Sequence, residues 1–438
     1  MKRKVLSAAL AATLMLSSVA PSFAEELDKD VAPVGIQSSA KPDIRRGSSF
    51  SSLKPKTGKQ KVLCIMVEFD NQKFGNMNDE EYYHNQLFGK DKTSLKSYLR
   101  DQSDGRMKIY PADVKNAKYP GVIKVKMNAS KYGTVSPRDY SAHDRIVKDV
   151  FNQIKNQVEW DKIDENGDKV FEESFLYEND ALEEELLFMF VFSGDTQVKK
   201  PGTVTAWTHL SPFNGYADGY KFKNTAIITS ERTGTVVGSS DFAHEYLHNL
   251  NARDMYLDWK SVGPWSVMCS YLGQNHKDFK YTPTPVDPYH KLYFKWAKPV
   301  EVKLDSAKPV EIKYNKREVP YIVDPRDSNI IYLLDYMDYN NYYTKGLNRY
   351  GVKSSGMVVW KINRREAERD WMSSSGGYYD WYINSAGPKT AVSVMNRSDD
   401  KMKVKDSFVE DGKERSIDGT LIKVKPSKGK MYVYYRGV

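Results

Sequence analysis

Two uninterrupted apolar runs constrain the fold of this chain more than any other feature: Lys61 to Phe69, KVLCIMVEF, and Leu186 to Phe192, LLFMFVF. A strand with one face in water alternates apolar and polar residues, whereas a run that is apolar throughout needs cover on both faces. Each run is of the kind a fully buried strand requires. Helical patterns lie between them. Glu80 to Leu87 and Ser94 to Arg100 are helix-like, and in Ser141 to Val158 the residues Ile146, Val150, Ile154 and Val158 recur at four-residue intervals. Asn224 to Ser230, NTAIITS, is a third buried strand. The expectation is an α/β (α+β) domain over residues 61–299.

From about Val300 the pattern changes to short strands separated by turn residues: VEVKL, PVEIKY, NIIYLLDY, GMVVWKI, TAVSVM, TLIKV and MYVYYRG. They predict a β-rich C-terminal region over 300–438. Residues 25–60 are rich in Ser, Pro, Lys and Gly without apolar periodicity and are expected to be a propeptide or linker. The chain starts with Lys2-Arg3-Lys4, then a short apolar stretch, then small residues at Ser22 and Ala24. That order of charge, apolar run and small residues predicts a secretory signal peptide over 1–24, cleaved after Ala24. The stretch is shorter than the ~20 residues that span a bilayer, and no other segment reaches that length. A secreted, extracellular protein without a membrane span is expected, working as a monomer.

Charge says little about partners. The net charge is +9, and removal of Lys2, Arg3 and Lys4 lowers it by three. No basic cluster interleaved with aromatics is present, so a nucleic-acid partner is not expected. Only two cysteines occur, Cys64 and Cys269. An extracellular compartment permits them to pair, and Cys64 in the middle of a core strand equally suits a buried thiol.

The chemistry is concentrated between Gly238 and Asp254, GSSDFAHEYLHNLNARD. Val236, Ser240, Ala243, Leu247 and Leu250 form a small or apolar helix stripe. On that helix His244 and His248 stand one turn apart, so both imidazoles reach one metal ion, while Glu245 is rotated off the ligand line. Catalytic zinc usually takes three protein ligands. Asp254, six residues after His248, is the expected third, with Asp241, Asp258 and His276 as alternatives. Bringing Asp254 back to the metal needs a turn after the helix, and Asn251 tolerates the left-handed backbone of such a turn. Fourteen residues beyond Asp254, Gly263-Pro264-Trp265-Ser266-Val267-Met268 forms a turn presenting Met268.

With these residues in place, the chain resembles the metzincin-like zinc peptidases. The aspartate ligand, the GPW-x-x-M turn and the later DPYHKLYFKW are similar to secreted bacterial metallopeptidases of the immune inhibitor A type. The likeness extends over roughly residues 60–365, including the SDGRM turn, LLFMFVFSGD, Trp207-Thr208-His209 and GMVVWKIN. The family commonly has Gly where this chain has Asn251. The resemblance implies a zinc endopeptidase acting on protein or peptide substrates, with His244, His248 and Asp254 as ligands, Glu245 as general base and Met268 as an apolar floor beneath the imidazoles. A zinc ion so held lowers the pKa of a bound water and polarises the scissile carbonyl.

His209 in AWTHLSPF, and Tyr271, three residues after Met268 where some metzincins place a Tyr two after, are candidates for stabilising an oxyanion or shaping the cleft. The family often binds calcium, and Asp164, Asn166 and Asp168 in WDKIDENGDKVFE have part of the spacing of a calcium loop, although Lys169 stands where an EF-hand needs Gly. The alternative expectation is a catalytically silent secreted binding or adhesion protein on the same scaffold, which would have no chemical need for Glu245.

Overall fold

The computed structural model describes residues 55–75, 79–172, 185–194, 201–231, 238–256, 262–269, 282–367, 391–395, 407–417 and 421–437. The expected signal peptide and most of the expected propeptide lie outside them. So do Val236, Asp258, Tyr271 and His276.

The first apolar run is the strand β1 (Gly58–Phe69), followed by α1 (Glu80–Phe88), α2 (Leu95–Gln102), β2 (Met107–Pro111), β3 (Val122–Met127), α3 (Tyr140–Ile154) and β4 (Val170–Glu172). The second apolar run is β5 (Leu186–Phe192), and β6 (His209–Ala217), β7 (Tyr220–Ser230), α4 (Ser239–Asn249) and α5 (Pro288–Tyr293) complete this part. The seven strands make one sheet in the order β2-β1-β5-β7-β4, with β3 also on β1 and β6 on β7. All pairs are parallel except β6 with β7.

The pleat explains why β1 and β5 are apolar throughout. On one face Val62, Cys64, Met66, Leu187, Met189 and Val191 pack with α1, α2 and α4. On the other, Leu63, Ile65, Val67, Phe188, Phe190 and Phe192 pack with α3, whose stripe residues Ile146, Val150 and Ile154 are fully buried. Each such side chain removed from water contributes about 1.5–3 kcal/mol. Val158, expected on the same helix, lies past its end but is still buried.

The remainder is β-rich. The strands β8 (Lys298–Glu301), β9 (Val310–Lys313), β10 (Glu318–Asp324) and β11 (Asp327–Met337) precede a short α6 (Tyr342–Lys345). After it come β12 (Gly356–Asn363), β13 (Val392–Val394), β14 (Phe408–Glu410), β15 (Arg415–Ile417), β16 (Ile422–Ser427) and β17 (Lys430–Tyr435). They form a six-stranded sheet, β13-β12-β11-β10-β8 with β14 on β12, and a four-stranded sheet, β15-β16-β17-β9. Alternate residues of β11 and β12, among them Leu333, Val358 and Trp360, join the same core cluster as α4. The molecule is thus mixed α/β with a β-rich C-terminal part. Cys64 and Cys269 are both buried and no disulfide joins them; burial pushes the Cys64 thiol up. Among the described residues no helix is long and apolar enough to cross a membrane.

Candidate metal centre

Helix α4 starts with the Gly238 amide donating to the Asp241 carboxylate at 3.3 Å. Asp241, one of the alternative ligands, is therefore engaged at the helix start. Phe242, Ala243, Tyr246, Leu247 and Leu250 bury the inner face. The helix ends where expected. Asn251 has φ of 69°, in the left-handed region. Its amide donates to the His248 carbonyl at 2.7 Å and the Ala252 amide to that of Leu247 at 2.8 Å, the two bonds of a Schellman end. The reversal carries Ala252, Arg253 and Asp254 back along the helix.

Three ligand atoms converge there. His244 Nε2 lies 3.1 Å from His248 Nε2, and the Asp254 Oδ1 oxygen is 3.1 Å from the first and 3.2 Å from the second. Among the described residues this is the one group of three or more His, Cys, Asp and Glu side chains gathered closely enough to hold a metal ion. The tautomers follow from the other ring nitrogens. His244 Nδ1 faces the Val267 carbonyl at 2.9 Å and His248 Nδ1 the Ala252 carbonyl at 2.8 Å. A carbonyl only accepts, so both Nδ1 atoms carry the proton and, in the neutral rings, both Nε2 atoms present lone pairs.

Three lone-pair-bearing atoms therefore face one another, and buried Asp254 Oδ1 has no hydrogen-bond donor. Such an arrangement is repulsive until a cation enters. A tetrahedral zinc with ligands at about 2.0–2.1 Å spaces its ligand atoms about 3.3 Å apart, close to the observed triangle. The donor set and its size fit the metal. In the absence of an ion a proton takes this role: burial would push the His244 pKa down, but Asp254 overrides it and raises it to about 9. The same histidines overcome burial to hold the Asp254 carboxyl far below its ordinary range.

Glu245 is buried beside the ligands, 7% exposed, and burial raises its carboxyl pKa against the pull of both histidines. Met268 is fully buried in the cluster that contains Ala243 and Leu247, and its carbonyl accepts from the Met255 amide at 2.9 Å. The turn that carries it thus touches the centre twice, through Val267 on His244 and through Met268 on the loop after Asp254. Sequence reasoning did not find Tyr256, whose ring stacks 6.2 Å from that of His244. Its position two residues beyond Asp254 was the available signal.

The structure does not bring His209 to the centre. His209 pairs with Ile228, on the α3 face of the sheet, whereas α4 packs on the other face. Its neighbours are Tyr140 at 4.8 Å and His143 at 5.1 Å between ring centroids. Asp164, Asn166 and Asp168 form an exposed loop. Asp164 accepts from the amides of Gly167 and Lys169, and Asp168 from that of Val170 and from the Asn166 side chain. Lys169 itself takes the left-handed conformation, with φ of 60°, at the position where an EF-hand has Gly.

No protein-family model matches the chain, and no curated protein matches it in sequence.

Proposed function

We propose that the chain is a secreted zinc-dependent endopeptidase with a metzincin-like catalytic domain over 61–299, acting on extracellular proteins or peptides. The single observation that supports it is the triangle of His244, His248 and Asp254, whose tautomers leave all three inner atoms as acceptors, with a buried carboxylate next in sequence. When bound, the ion supplies Lewis acidity, lowering the pKa of water and polarising a carbonyl. His244 and His248 hold their ring orientation through the Val267 and Ala252 carbonyls, so the residues pay little reorganisation on loading. Glu245, its carboxyl pushed up by burial, is suited to take a proton from water and return it to the leaving amine. Met268, fully buried in the cluster that contains Ala243 and Leu247, is suited to form an apolar floor beneath the imidazoles.

The test is hydrolysis of casein by wild type and by Glu245→Ala, with zinc content determined for both. Cleavage by wild type that a chelator abolishes and zinc restores, together with a zinc-loaded but silent Glu245→Ala, supports the reading. If both bind zinc and neither cleaves, the choice falls between a narrow-specificity protease, a latent proform and the silent binding protein.

A further inference from the structure

Behind the metal centre lies a buried polar network that touches no ligand directly. Asp287 caps α5, its Oδ1 accepting from the His290 amide at 2.9 Å. Its Oδ2 accepts from Ser266 Oγ at 2.7 Å and lies 2.8 Å from His290 Nδ1. Ser266 Oγ also accepts from the Met268 amide at 3.0 Å, and His290 Nε2 accepts from the Arg253 amide at 3.2 Å. Because Nε2 is an acceptor, the ring proton sits on Nδ1 and donates to Asp287. Asp287 and Ser266 are fully buried and His290 is 2% exposed.

The two arms end on the two segments that orient the ligands. The Ser266 arm fixes the turn whose Val267 carbonyl orients His244. The His290 arm fixes Arg253, between Ala252, whose carbonyl orients His248, and Asp254 itself. One carboxylate thereby stands behind all three ligands through one intermediary on each side.

We propose that Ser266, Asp287 and His290 are positioning residues that set the geometry and affinity of the metal centre. This rests on the reading of His244, His248 and Asp254 as metal ligands. Groups that orient ligands are typically worth about ten- to hundredfold in metal affinity. A merely structural network would cost fold stability and leave the loaded site unaltered.

The experiment uses the full chain with zinc and cobalt(II) as probes. Zinc dissociation constants come from competition with a chromophoric chelator, ligand geometry from the cobalt(II) visible spectrum, and stability from the Tm of the metal-free protein. His290→Phe and Ser266→Ala are compared with Ile146→Ala, a cavity in the core on the other face of the sheet. The expected result is an about ten- to hundredfold weaker zinc dissociation constant and an altered cobalt spectrum in both network variants, with Ile146→Ala lowering Tm while binding and spectrum match wild type. If His290→Phe does not fold, Ser266→Ala, which removes one hydroxyl, carries the test. Wild-type affinity and spectrum in the network variants, or equal losses in Ile146→Ala, overturn the proposal. Failure of wild type itself to bind zinc overturns the metal-centre reading and the proposal with it, a different outcome from wild-type binding that the variants leave intact.

Discussion

Acid should destabilise this protein through a histidine on the opposite face of the sheet from the candidate metal centre. His209 Nδ1 donates to the Trp207 carbonyl at 2.6 Å, and its buried Nε2 has no hydrogen-bond partner. Burial, aided by neighbouring His143, pushes its pKa from 6.5 down to about 4. The unfolded chain therefore takes up a proton at this residue on passing below pH 6.5, while the folded chain resists until about pH 4. Stability is full above pH 6.5 and falls between those limits, because the unfolded state binds more protons there. At 1.36 kcal/mol per pKa unit the shift corresponds to a loss of about 3 kcal/mol. Urea unfolding of metal-free wild type and His209→Phe at pH 7 and pH 4 isolates the effect, since other titrating groups are shared. The stability lost on acidification should be smaller in His209→Phe by about 2–3 kcal/mol. Equal losses in the two proteins would refute the burial argument.

Three further outcomes are expected. Asn251→Ala and Asn251→Gly both delete the 2.8 Å bond from the Asn251 side chain to the Tyr293 hydroxyl, but only Ala adds a Cβ without a helpful side chain in the left-handed turn, so Asn251→Ala should lower stability by about 1 kcal/mol more than Asn251→Gly, both read by chemical denaturation. Tyr246→Phe deletes the buried 2.6 Å bond to Gln60 and should cost about 1–2 kcal/mol in the same assay. Zinc affinity should rise by roughly tenfold per pH unit toward pH 9 and level off above it, because loading displaces the proton that His244, with a pKa raised to about 9, otherwise holds; titration calorimetry in two buffers should register its release.

The strands β1 and β5 and the helices α1, α2 and α3 were legible because burial on both faces, or on one helix face, leaves a periodic imprint within a single segment. The candidate ligands were legible for the same reason. His244 and His248 are one turn apart on one element, and Asn251 and Asp254 follow within six residues. What joins distant segments left no such imprint. Nothing in AWTHLSPF states that His209 pairs with Ile228 and so faces α3, because that depends on the register of β6 on β7. The network from Ser266 to His290 spans the Met turn and a helix cap; Asp287-Pro288 marks the cap, but not that its carboxylate reaches Ser266. The shared core of β11, β12 and α4 was likewise beyond any local pattern, since its residues are about one hundred positions apart.

The most direct measurement is the metal content of the purified full chain beside Asp254→Asn and His248→Ala after equilibration with limiting zinc. The account predicts one tightly held zinc per wild-type chain and strongly weakened retention in both variants, each of which breaks the triangle of acceptors around buried Asp254 Oδ1. A wild-type chain without zinc, or variants that hold it as tightly, would contradict the claim that these three residues form a metal centre.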